Sequence, residues 1–223
     1  IEDNVINGAL LDGVNIEGAE GVLEFRRNLI GEFAVGPGPD RPNGGNGIFI
    51  SDFIDSNGQL IVQNNNLVGN GDGGTGVLGG NGVHLLGYRL MARDRTLPAF
   101  QQEVGVLIEN NVISGNLRDG ILLAENLYAA SGGPIAGSLT TDIDIISNQL
   151  TFNGGSGVNV ANKLAFGVGA MGGGRLRFLD TTSTDNAGAG IRVENWTNQL
   201  LDANGFPTVD QTIIASTTDG PTS

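Results

Sequence analysis

Residues 109–123 read ENNVISGNLRDGILL, and residues 146–160 read ISNQLTFNGGSGVNV. The two stretches hold asparagine, glycine and the apolar residues at matching positions. Working outward from this pair, one frame fits the chain six times: an apolar residue, two residues, Asn, one residue, Ile or Leu, then a loop and Gly-apolar-x-apolar. The first apolar position is held by Ile1, Phe25, Val62, Ile108, Ile145 and Phe178. The asparagines are Asn4, Asn28, Asn65, Asn111 and Asn148, with Thr181 in the sixth copy, followed two residues on by Ile6, Ile30, Leu67, Ile113, Leu150 and Ser183. The glycines are Gly13, Gly47, Gly82, Gly120, Gly157 and Gly190. The step from Asn to Gly is nine residues in copies one, four, five and six; copies two and three carry insertions. Successive copies start 24, 37, 46, 37 and 33 residues apart, so the frame is constant while its connecting loops vary, as in a solenoid.

Alternate residues of a strand share a face, so a strand with one face in the core shows apolar residues at a spacing of two. Before the turn these are Leu23/Phe25, Leu60/Val62, Val106/Ile108, Ile143/Ile145 and Leu176/Phe178. After the glycine they are Val14/Ile16, Ile48/Ile50, Val83/Leu85, Ile121/Leu123, Val158/Val160 and Ile191/Val193. The few residues between the two blocks leave no room for the crossover helix of an ordinary parallel sheet. Asn-Gly, a hairpin signal, occurs eight times and keeps an antiparallel sandwich open as the rival. A sandwich gives no reason for successive hairpins to keep one step, whereas a coil stacked on its neighbour does. Stacking also gives the asparagines a role, because side-chain amides at one corner of successive coils hydrogen-bond up the column. The glycines are expected to supply positive φ and close backbone approach at the corners.

Composition narrows the partners. Thirty-eight glycines against seven prolines, with no three-residue period, exclude collagen, and the regular apolar pairs argue against a flexible linker. A net charge of −13 repels nucleic acid and anionic membrane surfaces, so neither is expected as a partner. The absence of cysteine rules out disulfides, thiolate metal sites and a cysteine nucleophile. No apolar run is long enough for a membrane-spanning helix, and no signal segment opens the sequence.

The frame resembles the right-handed parallel β-helix repeat of the pectin-lyase-like superfamily, over nearly the whole chain. The resemblance implies an all-β solenoid of about six or seven coils over residues 1–195, with 196–223 as a last partial coil and tail in which 208–216 forms one further strand. Six coils at about 4.8 Å each make a prism roughly 30 Å long. It specifies fold rather than activity, since the superfamily includes lyases, hydrolases, epimerases, tailspikes, adhesins and surface proteins. The closest likeness is to non-catalytic surface or adhesin-type members: the polygalacturonase, pectate-lyase and alginate-epimerase signatures of that superfamily are absent here.

Candidate chemistry lies on the outward residues between the inward pairs. Phe49, Ile61, Leu107 and Leu122 are either covered by the inserted loops or form the apolar floor of a ligand groove. His84, the only histidine, precedes an arginine-bearing excursion at 87–100. His84, Tyr88, Arg89 and Arg93 are the set that could supply a base and cations for a polyuronate; the structural alternative is a loop helix with a solvated arginine face. Asp142 and Asp144 sit on one strand, about 7 Å apart by strand geometry, within the range of a glycosidase pair. GNGDGGTG, residues 69–76, has a calcium-loop texture, but Asp72 alone falls short of the roughly six to eight oxygens calcium needs, so no cofactor is assigned. Asn195-Trp196-Thr197 fits a glycosylation sequon.

Ile1 already occupies an inward position, so the first coil is expected to present an uncovered edge, inviting either upstream coils or another copy. The expected function is an extracellular structural or adhesive module of a surface protein or filament, self-associating end to end. The alternative is a polysaccharide-binding or polysaccharide-cleaving enzyme with its groove on the middle coils.

Overall fold

The computed structural model describes residues 1–32, 41–53, 59–71, 79–87, 104–124, 142–161 and 176–194, with short strands further at 89–90, 92–93, 128–129, 139–140, 165–166, 199–201, 207–209 and 213–217. Every regular element among them is a β-strand. The strands wind into a solenoid with three parallel faces. The first face stacks Leu23–Arg26, Leu60–Gln63, Val104–Glu109, Asp142–Ile146 and the start of Leu176–Thr184. The second stacks Val5–Ile6, Leu29–Gly31, Asn66–Val68, Val112–Ser114, Gln149–Thr151 and the end of Leu176–Thr184. The third stacks Val14–Glu17, Ile48–Ser51, Val83–Leu86, Ile121–Ala124, Val158–Ala161 and Ile191–Glu194. The expected six or seven coils are thus roughly matched.

Register follows the apolar frame. On the first face Phe25, Val62, Ile108, Ile145 and Phe178 pair in succession, and on the third Ile16, Ile50, Leu85, Leu123, Val160 and Val193. A one-residue slip would turn every one of these side chains outward, so burial holds each coil in register. All of the first-face residues, and Ile50 to Val160 of the third, are buried. Each apolar side chain removed from water contributes about 1.5–3 kcal/mol. Val14, Ile16, Ile191 and Val193, at the two ends of the third face, are only partly buried.

The second face is absent from the sequence reading. Its strands are three residues long and put one residue inward, the series Ile30, Leu67, Ile113 and Leu150, so no alternation marks them. In the sixth coil Ser183 takes this position, and its hydroxyl donates to the Gly190 carbonyl at 2.8 Å.

The corner between the first and second faces is a left-handed residue in every coil: Asp3, Arg27, Asn64, Asn110, Ser147 and Asp180, with φ from 48° to 57°. None is glycine, and the conformation costs roughly 1–2 kcal/mol at such residues. Backbone bonds offset it, as in Asn64 N–H to Glu109 O at 3.1 Å and Asn110 N–H to Ile146 O at 3.0 Å. Arg27 is further held by Asp3 and Glu2 through ion pairs at 2.8 and 2.7 Å.

Two expectations are corrected here. Within the 87–100 excursion, where a loop helix was the structural alternative, the described residues 89–90 and 92–93 form strands Arg89–Leu90 and Ala92–Arg93, while 88, 91 and 94–100 lie outside the described residues. Arg89–Leu90 stacks in parallel with Tyr128–Ala129, which stacks with Ala165–Phe166, so the excursions add a short ladder of their own. The single strand expected at 208–216 is two: Pro207–Val209 pairs antiparallel with Gln199–Leu201, and Ile213–Thr217 extends the first face.

Candidate functional site

The polar residues of the frame converge on the corners. At the corner between the first and second faces, the Asn4 amide nitrogen donates to Asn28 Oδ1 (3.1 Å), Asn28 to Asn65 (2.9 Å), Asn65 to Asn111 (3.0 Å) and Asn111 to Asn148 (3.0 Å). Each Oδ1 also accepts the backbone N–H of the preceding coil's asparagine, at 2.8–3.0 Å. Each Nδ2 from Asn28 onward also donates back to a main-chain carbonyl, such as Phe25 O from Asn65 and Val62 O from Asn111. These amides are therefore satisfied in a dry column. Thr181 ends the series, its hydroxyl accepting from Asn148 N–H at 3.4 Å and donating to Ile145 O at 3.1 Å.

Sequence reading missed a second column, at the corner between the second and third faces: Asn43, Asn70, Asn116, Asn153 and Asn186, linked at 2.8–3.0 Å. The signal was present, because from the third coil on these residues stand five positions after Asn65, Asn111, Asn148 and Thr181. Insertion in the second coil displaces it to Asn43. A third column precedes the frame glycines and runs with opposite polarity: Asp119 N–H donates to Asn81 Oδ1, Asn81 Nδ2 to Asn46 Oδ1, and Asn46 Nδ2 to Asp12 Oδ1.

The frame glycines Gly13, Gly47, Gly82, Gly120, Gly157 and Gly190 do not have positive φ, which corrects half of their expected role. Close approach is what requires five of them. A Cβ at Gly120 would lie 2.6 Å from Gly157 O, and one at Gly47 2.7 Å from Gly82 O. Gly190 is the exception, its nearest neighbour being at 3.4 Å.

The proposed groove does not assemble. Phe49 and Leu122 point outward on the third face, whereas Ile61 and Leu107 belong to the first, and Ile61 is buried. His84 packs its ring on Phe49, with centroids 5.0 Å apart, and among the described residues neither ring nitrogen has a hydrogen-bond partner although both are buried. Burial pushes the imidazole below its ordinary pKa of 6.5, against the smaller opposing pull of Asp12 and Asp119. The side chains of Tyr88, Arg89 and Arg93 lie outside the described residues, as do Asp72 and the Asn195 sequon.

Asp144 is no free carboxylate. It is buried on the outward side of the first face and gripped by Arg177, Nε to Oδ1 at 2.6 Å and Nη2 to Oδ2 at 2.5 Å. The side chain of Asp142, its expected partner, lies outside the described residues. Among the described residues no group of three or more His, Asp or Glu is placed to hold a metal ion.

Fold and columns together define a parallel β-solenoid whose polar residues serve its corners. The family described as right handed beta helix region matches residues 12–206, and the chain belongs to that family. This supplies the handedness and is consistent with the pectin-lyase-like superfamily. No curated protein and no solved structure matches the chain significantly.

Proposed function

We infer that this chain is an extracellular structural or adhesive β-helix module that extends by stacking coil on coil. The observation that carries the reading is where the polar side chains go. Three columns of amides and carboxylates are bonded along the axis, and Asp144 is locked by Arg177, so the conspicuous polar groups of the frame hold scaffold together instead of converging on a substrate. Electron microscopy of the purified chain tests the stacking. Fibres with a subunit repeat near 30 Å are expected from about 4.8 Å per coil, and dispersed particles at high concentration would remove self-stacking from the reading.

One observation favours a second reading, polysaccharide binding or cleavage. Phe49 and His84 make an aromatic contact on an outward face, and the unpartnered histidine nitrogens lie beside it. A polysaccharide panel against wild type and His84→Ala separates the two. Turnover or binding lost on that change supports the enzyme reading, and no interaction with any member of the panel rejects it.

A further inference from the structure

We propose that the second face of the solenoid is a lateral docking surface for a second copy of this chain, anchored at its rim by Phe152. The strands of this face turn two rows of side chains outward. One row runs from Val5 to Thr182 and includes Val112 and Gln149; the other runs from Gly31 to Thr184 and includes Ser114 and Thr151. No aspartate, glutamate, lysine or arginine stands in either row. The other faces differ, with Glu24, Asp144 and Arg177 outward on the first and Glu17 and Arg192 on the third. Charge returns at both corners beside the second face, where Asp3, Arg27 and Asp180 on one side and Glu32 and Asp185 on the other are exposed. A patch depleted of charge inside a charged rim is the composition that distinguishes the core of a protein interface.

The face is open. Val5 is 48% and Val112 36% exposed, Gln149 is exposed, and apart from Gly31 no residue of the two rows is buried. On the first face, by contrast, Ile61 and Asp144 point outward and are buried. Dehydrating the second face costs less than its hydroxyls suggest, because Thr151 Oγ1 already donates to Ser114 Oγ at 3.2 Å. Phe152 follows Thr151 directly and stands at the edge of the same face, 66% exposed in a left-handed conformation that Gly69 and Gly115 hold in the two preceding coils. Strain of this kind persists where a site uses it, and exposed aromatic anchors carry much of the energy of association.

Charge selects the occupant. Two copies at −13 each repel wherever carboxylates meet, and the second face lets them approach with no charged side chain set against another. One uncharged patch on both partners makes an isologous pair. Six rungs at about 4.8 Å by three residues at about 3.3 Å give a footprint of about 300 Å² per copy, well under the roughly 800 Å² per partner of a standard complex. The pair is therefore reversible, and it tightens where several copies are held in a row. Being lateral, it goes beyond the end-to-end stacking inferred above, and either can occur without the other.

Sedimentation equilibrium of the full chain, up to about 1 mM, compares wild type with Gln149→Glu and Phe152→Gly on the second face and Ala161→Glu on the third. Gln149 and Ala161 belong to the same coil and are both exposed, so the two glutamates add one charge each and differ only in the face that carries it. Phe152→Gly relieves backbone strain, and melting by circular dichroism checks that all three variants are folded. Wild type should associate more strongly as salt rises from about 0.01 to 1 M and the screening length falls from about 30 to 3 Å. Gln149→Glu sets like charges into the pair and should weaken association at least about tenfold, Phe152→Gly at least about fivefold, and Ala161→Glu should leave it unchanged. Equal effects of the two glutamates, weakening by salt, or a monomer throughout would overturn the proposal. None of the three substitutions touches the first or sixth coil, so oligomers that survive both second-face variants would speak for end-to-end stacking and overturn the lateral pair. Retention of wild type on crystalline cellulose, lost in Gln149→Glu and Phe152→Gly and without self-association, would assign the face to a polysaccharide and overturn it too.

Discussion

Replacing Asn111 by alanine removes four side-chain hydrogen bonds from the middle of a buried column: Nδ2 to Asn148 Oδ1 and to Val62 O, and Oδ1 from both nitrogens of Asn65. The partners fare differently. Asn65 Nδ2 keeps Phe25 O and Gln63 O, and Val62 lies in a strand paired on both sides, whereas the buried Asn65 N–H loses its acceptor. One stranded group at about 1–3 kcal/mol, with three further net bonds at about 0.5–1.5 kcal/mol each, places the loss at about 3–7 kcal/mol. That is comparable with the total stability of many domains. Thr181→Ala, at the column's end, loses one long acceptor contact and one donor, and should cost about 1–2 kcal/mol. Thr181 also shows that a hydroxyl fits the corner, so Asn111→Thr should fall between the two. Denaturant titrations of the three variants, with amide exchange at Asn65 as a local probe, measure this order. A cost for Asn111→Ala below about 1 kcal/mol, or equal to that of Thr181→Ala, would refute the view that the column is a continuous load shared between coils.

Three further outcomes follow from single positions. His84→Leu, matching Leu122 in the next coil, removes two unpartnered buried nitrogens and should stabilise the fold by about 1–2 kcal/mol, measured by thermal melting at neutral pH. Because burial lowers the folded pKa of His84, its contribution is complete above the unfolded value of 6.5 and is lost as pH falls below it; the wild type should lose melting temperature between pH 6.5 and lower pH by a margin absent from His84→Leu. Gly120→Ala forces a Cβ to 2.6 Å from Gly157 O and should cost about 2–4 kcal/mol, whereas Gly190→Ala should stay within about 0.5 kcal/mol, and equal effects would refute the close-approach argument. Phe152 is 66% exposed at φ +56°, the place Gly115 takes one coil earlier, so Phe152→Gly should raise stability by about 0.5–1 kcal/mol in the same titration.

Much of the architecture was legible because stacked coils write their register into the chain. Inward positions at a spacing of two and one asparagine per coil survive insertions of any length, as the insertions leave the corner untouched. The first asparagine column was therefore visible by eye, and Asn116 and Asn153 stood in the two stretches that revealed the frame. Their column went unread because insertions move Asn43 off the five-residue step and separate Asn70 from its glycine. The second face went unread because one inward residue makes no pattern.

What the sequence determined alone is the repeating unit: which residues turn inward, which polar residue stands at the first corner, and hence a parallel solenoid. Only the tertiary structure decided what those residues meet. The frame glycines follow from the carbonyl of the next coil, the capture of Asp144 from Arg177 33 residues away, and the separation of Phe49 and Leu122 from Ile61 and Leu107 from the number of faces. The physical reason is common to all three: period and composition are properties of one coil, whereas contact across 4.8 Å between coils, about one strand spacing, is a property of the stack.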